Sequence, residues 1–124
     1  MTEMHDSDLS FITGIVNKME GSFGVTLFLK GTVVSGWVIS GSEYYSTLVS
    51  RLEAGGEFAQ AYAIYFQHQL DSYTGEELEK IEIHNYLHLK NVKIQGGTGE
   101  FTVMNNSLLR LKISEIDGHI IGSI

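Results

Sequence analysis

The chain contains no cysteine and no proline. Without thiols there is no disulfide and no thiolate metal site, so stability and any chemistry rest on packing and on oxygen and imidazole groups. Average usage of about 5% would supply about six prolines in a chain of this length. The turns therefore fall to the 14 glycines and to Asn, Asp and Ser. Positive charge is also scarce: eight Lys and Arg against fifteen Asp and Glu leave a formal charge of −7. Nucleic-acid binders draw most of their non-specific affinity from cations on phosphates, so this balance argues against such a partner; only Lys90, Lys93, Arg110 and Lys112 lie near one another. Long apolar runs are missing too. Nothing approaches the roughly eighteen apolar residues of a membrane helix, and the opening MTEMHDSDLS is acidic where a signal peptide is basic. The expectation is a cytoplasmic protein with no membrane partner.

What is present suffices for one core. A chain of 124 residues can bury roughly two thirds of the surface it exposes when unfolded. With 43% hydrophobic and 19% charged residues it reads as globular rather than disordered. The pattern predicts a single α+β domain over 1–124, with 1–6 as a frayed terminus. Leu9, Ile12, Ile15 or Val16, and Met19 recur at helical spacing, which predicts a helix over about 8–20, capped by Ser7 or Asp8 and stopped by Gly21.

The period then changes to two. In FGVTLFLKGTVVSGWVIS, Lys30-Gly31 can form a two-residue hairpin turn that sets Leu29 opposite Thr32, Leu27 opposite Val34, Val25 opposite Gly36 and Phe23 opposite Val38. The other side of the ribbon carries Phe28, Val33, Trp37 and Ile39. Both faces are apolar, so both need cover: one from the sheet curling on itself, the other from a helix or a partner chain. Gly36 in mid-strand fits a sharp bend. Ser40 and Glu43 have capping-box spacing, and Tyr45, Leu48, Val49 and Leu52 follow at i, i+3, i+4 and i+7. Past Gly55-Gly56 a second stripe begins with Phe58, Ala61, Tyr62 and Tyr65. These predict an inserted helical pair over 43–70 with a break at the glycines, followed by an acidic loop at 71–80.

Ile81, Ile83, Leu87 and Leu89 alternate with Glu82, His84, Tyr86, His88 and Lys90. At Lys90-Asn91 the parity slips, as at a bulge or a break. QGGTGE reads as a turn, FTVM as a short strand and NNS as another turn. Leu109, Leu111 and Ile113 then approach Asp117-Gly118, which has the residues of a type I′ hairpin turn and would pair Ile113 with Gly122 and Leu111 with Ile124. On that reading the terminal strand lies in the sheet with its apolar residues in the core.

Few residues suggest chemistry. His84 and His88 would chelate on a helix, but on a strand four residues span about 13 Å, too far for one ion without His68, His119 or a carboxylate. Glu115 and Asp117 are better explained by a turn than by acid and base roles. GGTGE lacks the order that cradles phosphate. No cofactor or metal is expected. Aromatic residues are the more informative set: Phe28, Trp37, Tyr44, Tyr45, Tyr62 and Tyr65 recur at element spacing, which is usually a core pattern, but a hairpin apolar on both faces leaves surplus surface, and Trp and Tyr are enriched at interfaces.

TVVSGWVISGSEYYSTL, and LHLKNVKI followed by RLKISEIDGHIIGSI, resemble the gas vesicle accessory protein GvpU family. Val33, Ser35, Gly36, Ile39, Ser40, Glu43 and Tyr44 carry the first part of the resemblance. His88, Leu89, Lys90, Asn91, Ile94, Arg110, Ile113 and Gly122, with the turn residues Glu115, Asp117 and Gly118, carry the second. Leu109 and Leu111 depart from the family pattern, and the polar tail of such members is absent. The resemblance implies a non-enzymatic accessory factor in vesicle assembly or clustering and names no catalytic residue. Phe28, Trp37, Tyr44 and Arg110 are the candidate contact residues, with the chain itself as a dimer or larger oligomer, and gas vesicle proteins, as the candidate partners.

The expected architecture is a strongly bent antiparallel sheet of five or six strands, similar in outline to an Sm-like small barrel. Two alternatives stand beside the accessory role. One is a nucleic-acid-binding barrel using Lys90, Lys93, Arg110 and Lys112. The other is a small-ligand binder or hydrolase whose pocket is lined by His84, Tyr86 and His88.

Overall fold

In the structure, a computed structural model, residues 7–19, 21–72 and 85–122 are described. Helix α1 spans Ser7–Met19 and helices α2 and α3 span Gly41–Glu53 and Glu57–Asp71; strands β1 to β5 span Phe23–Leu29, Thr32–Ile39, Tyr86–Gln95, Phe101–Lys112 and Gly118–Ile121. The expectations for residues 1–6, for most of the acidic loop, and for Ile81, Ile83, His84 and Ile124 lie outside the described residues.

Local chemistry accounts for the first hairpin. Lys30 and Gly31 both take left-handed backbone, at φ 48° and 83°, which the twist of a two-residue turn demands. The register is the expected one, from Leu29 opposite Thr32 to Phe23 opposite Val38. Helix α2 begins at Gly41, directly after the Ser40 cap that the capping box indicated and two residues before the expected start at 43. Ser40 Oγ accepts the Glu43 N–H at 2.9 Å, while the Glu43 carboxylate turns away to Lys90 Nζ at 3.1 Å instead of closing the box. The Gly41 N–H, at the start of the helix, is taken by Asn17 Oδ1 of α1 at 2.7 Å.

The sheet is antiparallel throughout in the order β4-β3-β2-β1-β5. It has two edges, β4 and β5, and does not close, which corrects the barrel expectation. It is nevertheless curled. Four strand spacings would separate the edges of a flat sheet by about 19 Å, and β4 ends at Lys112 beside Tyr86 while β5 begins at Gly118 beside Phe28, toward the opposite end of the strands, yet only residues 113–117, three of them in a 3-10 turn, join the two. That link crosses the inner side of the sheet and leaves Ile113 and Ile116 in the core.

The core occupies one face. Val25, Leu27, Val34, Val38, Leu87, Leu89 and Val92 point to Leu9 and Val16 of α1; of the two candidates in the α1 stripe, Val16 is inside and Ile15 outside. The parity slip in β3 is a bulge: Lys90 pairs with Leu108 and Val92 with Met104, so Asn91 alone faces three residues of β4. Side chains take up the backbone groups freed there. Asn91 Oδ1 accepts the Asn106 N–H at 2.9 Å and Ser107 Oγ accepts the Val92 N–H at 3.0 Å. Asn105-Asn106-Ser107 is therefore a bulge within a continuous β4, not the expected turn.

The end of the chain departs furthest from expectation. Ile113–Glu115 forms a 3-10 turn, and β5 pairs with β1 rather than with β4. Neither Asp117 nor Gly118 adopts the left-handed backbone of a type I′ turn. The terminal strand does lie in the sheet, but as an edge, so Ile120 and Ile121 are each 56% exposed instead of core.

Candidate interaction surface

The outer face of the sheet carries Thr26 and Phe28 of β1, Val33, Ser35, Trp37 and Ile39 of β2, Tyr86, His88, Lys90 and Lys93 of β3, and Arg110 and Lys112 of β4, as the pairing registers require. One end is roofed. Ile39, Tyr45, Val49 and Ala63 are buried beneath α2 and α3, with the Phe66 ring 6.1 Å from Tyr45. His88 is 1% exposed, its imidazole 4.5 Å from the ring of Tyr44 and 5.8 Å from that of Tyr45.

The other end is open. Phe28 is 39% exposed, Trp37 44%, Val103 55% and Ile120 56%. Beside Phe28 and Ile120 runs an open groove of about 440 Å³, lined by Thr26, Phe28, Val33, Phe101, Ile120 and Gly122. Helix α3 adds surplus apolar area: Ala63 is its one buried residue among the described ones, and Phe58, Tyr62, Ile64 and Tyr65 are exposed.

A basic stripe borders the open area. Lys90, Lys93, Arg110 and Lys112, grouped in the sequence, share this face, spread along it from the row of Tyr86 to that of Val103. Lys90 is neutralised by Glu43, and the Arg110 guanidinium lies 3.7 Å over the Tyr86 ring as a cation-π contact. Burial raises the Tyr44 phenol above its ordinary value, and Arg110 partly offsets that rise. Thus Tyr44 and Arg110 belong to one cluster at the edge of the roofed end, while Phe28 and Trp37 sit on the open part.

Residues 6–124 match the model of the GvpU-like gas vesicle protein family. The chain belongs to that family. Membership implies an accessory role in gas vesicle systems, in a family not known as enzymatic. No curated protein matches the chain. Among the described residues no helix is long and apolar enough to cross a membrane.

The family-pattern residues Glu115, Asp117 and Gly118 serve the fold at a distance. Asp117 accepts the Lys30 N–H at 2.8 Å and pairs with Lys30 Nζ at 3.2 Å, with Glu115 at 3.9 Å from the same ammonium. The backbone and side-chain hydrogen bonds from Lys30 hold the Asp117 carboxyl below its ordinary range. Asp117 thus ties the β1–β2 turn to the end of the crossing link.

Of the residues expected to line a histidine pocket, His84 lies outside the described residues. His88 is interior, and Tyr86 faces outward under Arg110. Among the described residues no three His, Cys, Asp or Glu could hold one metal ion. Sequence reasoning missed Phe101, Val103 and Ile120 as members of the open face. The available signal was the uncharged run FTVMNNSLL, too long and too apolar to be a short strand beside a turn.

Proposed function

We propose that this chain is a non-enzymatic gas vesicle accessory protein that works through protein-protein contacts made by the open half of its outer sheet face. The observation that carries the reading is that Phe28, Trp37, Val103 and Ile120 are all exposed on the outer face of one sheet. Apolar area of this kind, bordered by polar residues, is characteristic of contact sites. Family membership supplies the context, and makes a component of gas vesicles the partner to test first. The test is flotation: the purified protein is mixed with isolated gas vesicles, and the vesicles are recovered buoyant. The wild type is expected to float with them, and the double variant Phe28→Asp, Trp37→Asp to stay in solution while keeping its circular dichroism. Absence of wild-type protein from the buoyant layer would defeat the reading.

A second reading draws on the four basic residues sharing the face, which could serve an anionic partner. The neutralised Lys90 and the net charge of −7 weigh against it. Binding to a polyanion that weakens steeply with added salt would favour it.

A further inference from the structure

The two edges of the sheet are unequal. Strand β5 has four residues and β4 has twelve, and among the described residues no strand pairs with the outer side of β4. Proteins usually protect such an edge with charge, proline, bulges or shortness. Phe101–Leu109 contains neither proline nor charge, and its one protection is the bulge at Asn106, with φ 61°. Before the bulge the strand is regular. The Gly96 N–H donates to the Glu100 carbonyl at 2.8 Å, so the alternation of an antiparallel ladder aims the backbone of Thr102 at β3 and that of Phe101 and Val103 outward.

We propose that β4 pairs antiparallel with β4 of a second copy about a two-fold axis at Val103, joining two sheets into one of ten strands. This rests on reading the chain as a self-associating module and names the contact. An axis normal to the sheet keeps each side chain on its own face. Val103 then meets Val103 of the second copy, Phe101 meets Asn105, and Thr102 meets Met104, with no charge opposite a like charge. Centring the axis in the other half of the strand would set Arg110 near its own copy, a destabilising pairing. Val103 and Met104 are both exposed in the single chain and would gain cross-strand cover. The two open grooves, each lined by Phe28, Val33 and Phe101, would lie on the same side of the joined sheet. A β4 edge is thus the intersubunit seam, and the apolar outer faces remain free for a different protein.

The absence of native cysteine makes a single introduced thiol unambiguous. Residues facing each other in such a pair stand about 5.5 Å apart at Cα, within disulfide reach. Under mild oxidation V103C is expected to form a covalent dimer, and F58C, on an 87% exposed residue of α3, to remain largely uncross-linked. Val103→Pro removes only an outward N–H, which an edge position tolerates. By light scattering it is expected to lower the mass from twice 13.8 kDa to 13.8 kDa with the circular dichroism unchanged. Wild-type mass in Val103→Pro, or cross-linking of V103C no faster than of F58C, would overturn the proposal. Failure of the edge pairing leaves vesicle flotation untouched, and failure of flotation leaves the Val103 cross-link in place, so the two readings fail separately.

Discussion

Two side chains carry the pH dependence that geometry predicts. Asp117 is exposed, and its carboxylate is held below its ordinary value of 3.8 by hydrogen bonds from Lys30. A depressed folded value means that the contact stabilises the fold where the carboxylate is ionised in both states, and that this contribution is lost as pH falls through the folded value. Asp117→Asn keeps an acceptor for the Lys30 N–H but removes the charge. The variant is expected to be slightly less stable than wild type at neutral pH and to converge with it below the ordinary Asp range, as read by thermal melts across pH. Tyr44 acts at the alkaline end. Its phenol is raised, chiefly by burial, so the unfolded chain loses that proton first and stability falls as pH rises through and above about 10. Tyr44→Phe is expected to flatten the alkaline limb of the stability profile. An unchanged limb would place the burial of Tyr44 in doubt.

Among the elements, the bulges show what a local pattern can and cannot reveal. The Lys30-Gly31 hairpin was legible because its turn and both strands lie within seventeen residues and the alternation admits one register. The slip at Asn91 was legible as a change of parity. Its partner was not, because the compensating residues, Asn106 and Ser107, look like a turn until they are seen opposite a lone asparagine. Asp117-Gly118 misled for a related reason: apolar residues alternate on both sides of it, yet the Asp117 carboxylate is taken by a turn 87 positions away and the strand beyond it joins β1. The outer-face position of Phe28 and Trp37 was legible from a two-sided apolar ribbon, whereas that of Val103 and Ile120 depended on strand order. Gly36 was legible as a bend, and its surroundings make a prediction. A Cβ there would stand 3.1 Å from Val92 Cγ1 and 3.3 Å from the Lys90 carbonyl oxygen, where β2 and β3 change register. Gly36→Ala is therefore expected to cost about 1–3 kcal/mol, the usual range for overpacking, measured by urea denaturation.

At the scale of the molecule, the two faces of one sheet are assigned different work, and substitution can separate them. Leu89 is fully buried in the inner core, so Leu89→Ala leaves a cavity and is expected to cost about 2–5 kcal/mol, a large part of the roughly 5–15 kcal/mol that holds a domain together. Trp37 lies on the neighbouring strand β2 but on the other face of the sheet and is 44% exposed. Its truncation removes area that water partly reaches in the free chain, and Trp37→Ala is expected to cost less than Leu89→Ala. Vesicle binding should respond in the opposite order. Trp37→Ala is expected to weaken flotation with gas vesicles at a temperature where the protein is fully folded, and Leu89→Ala to leave it intact as long as the chain stays below its melting transition. If denaturation showed Trp37→Ala to be as damaging as Leu89→Ala, the outer face would be a second core and the contact reading would fall with it.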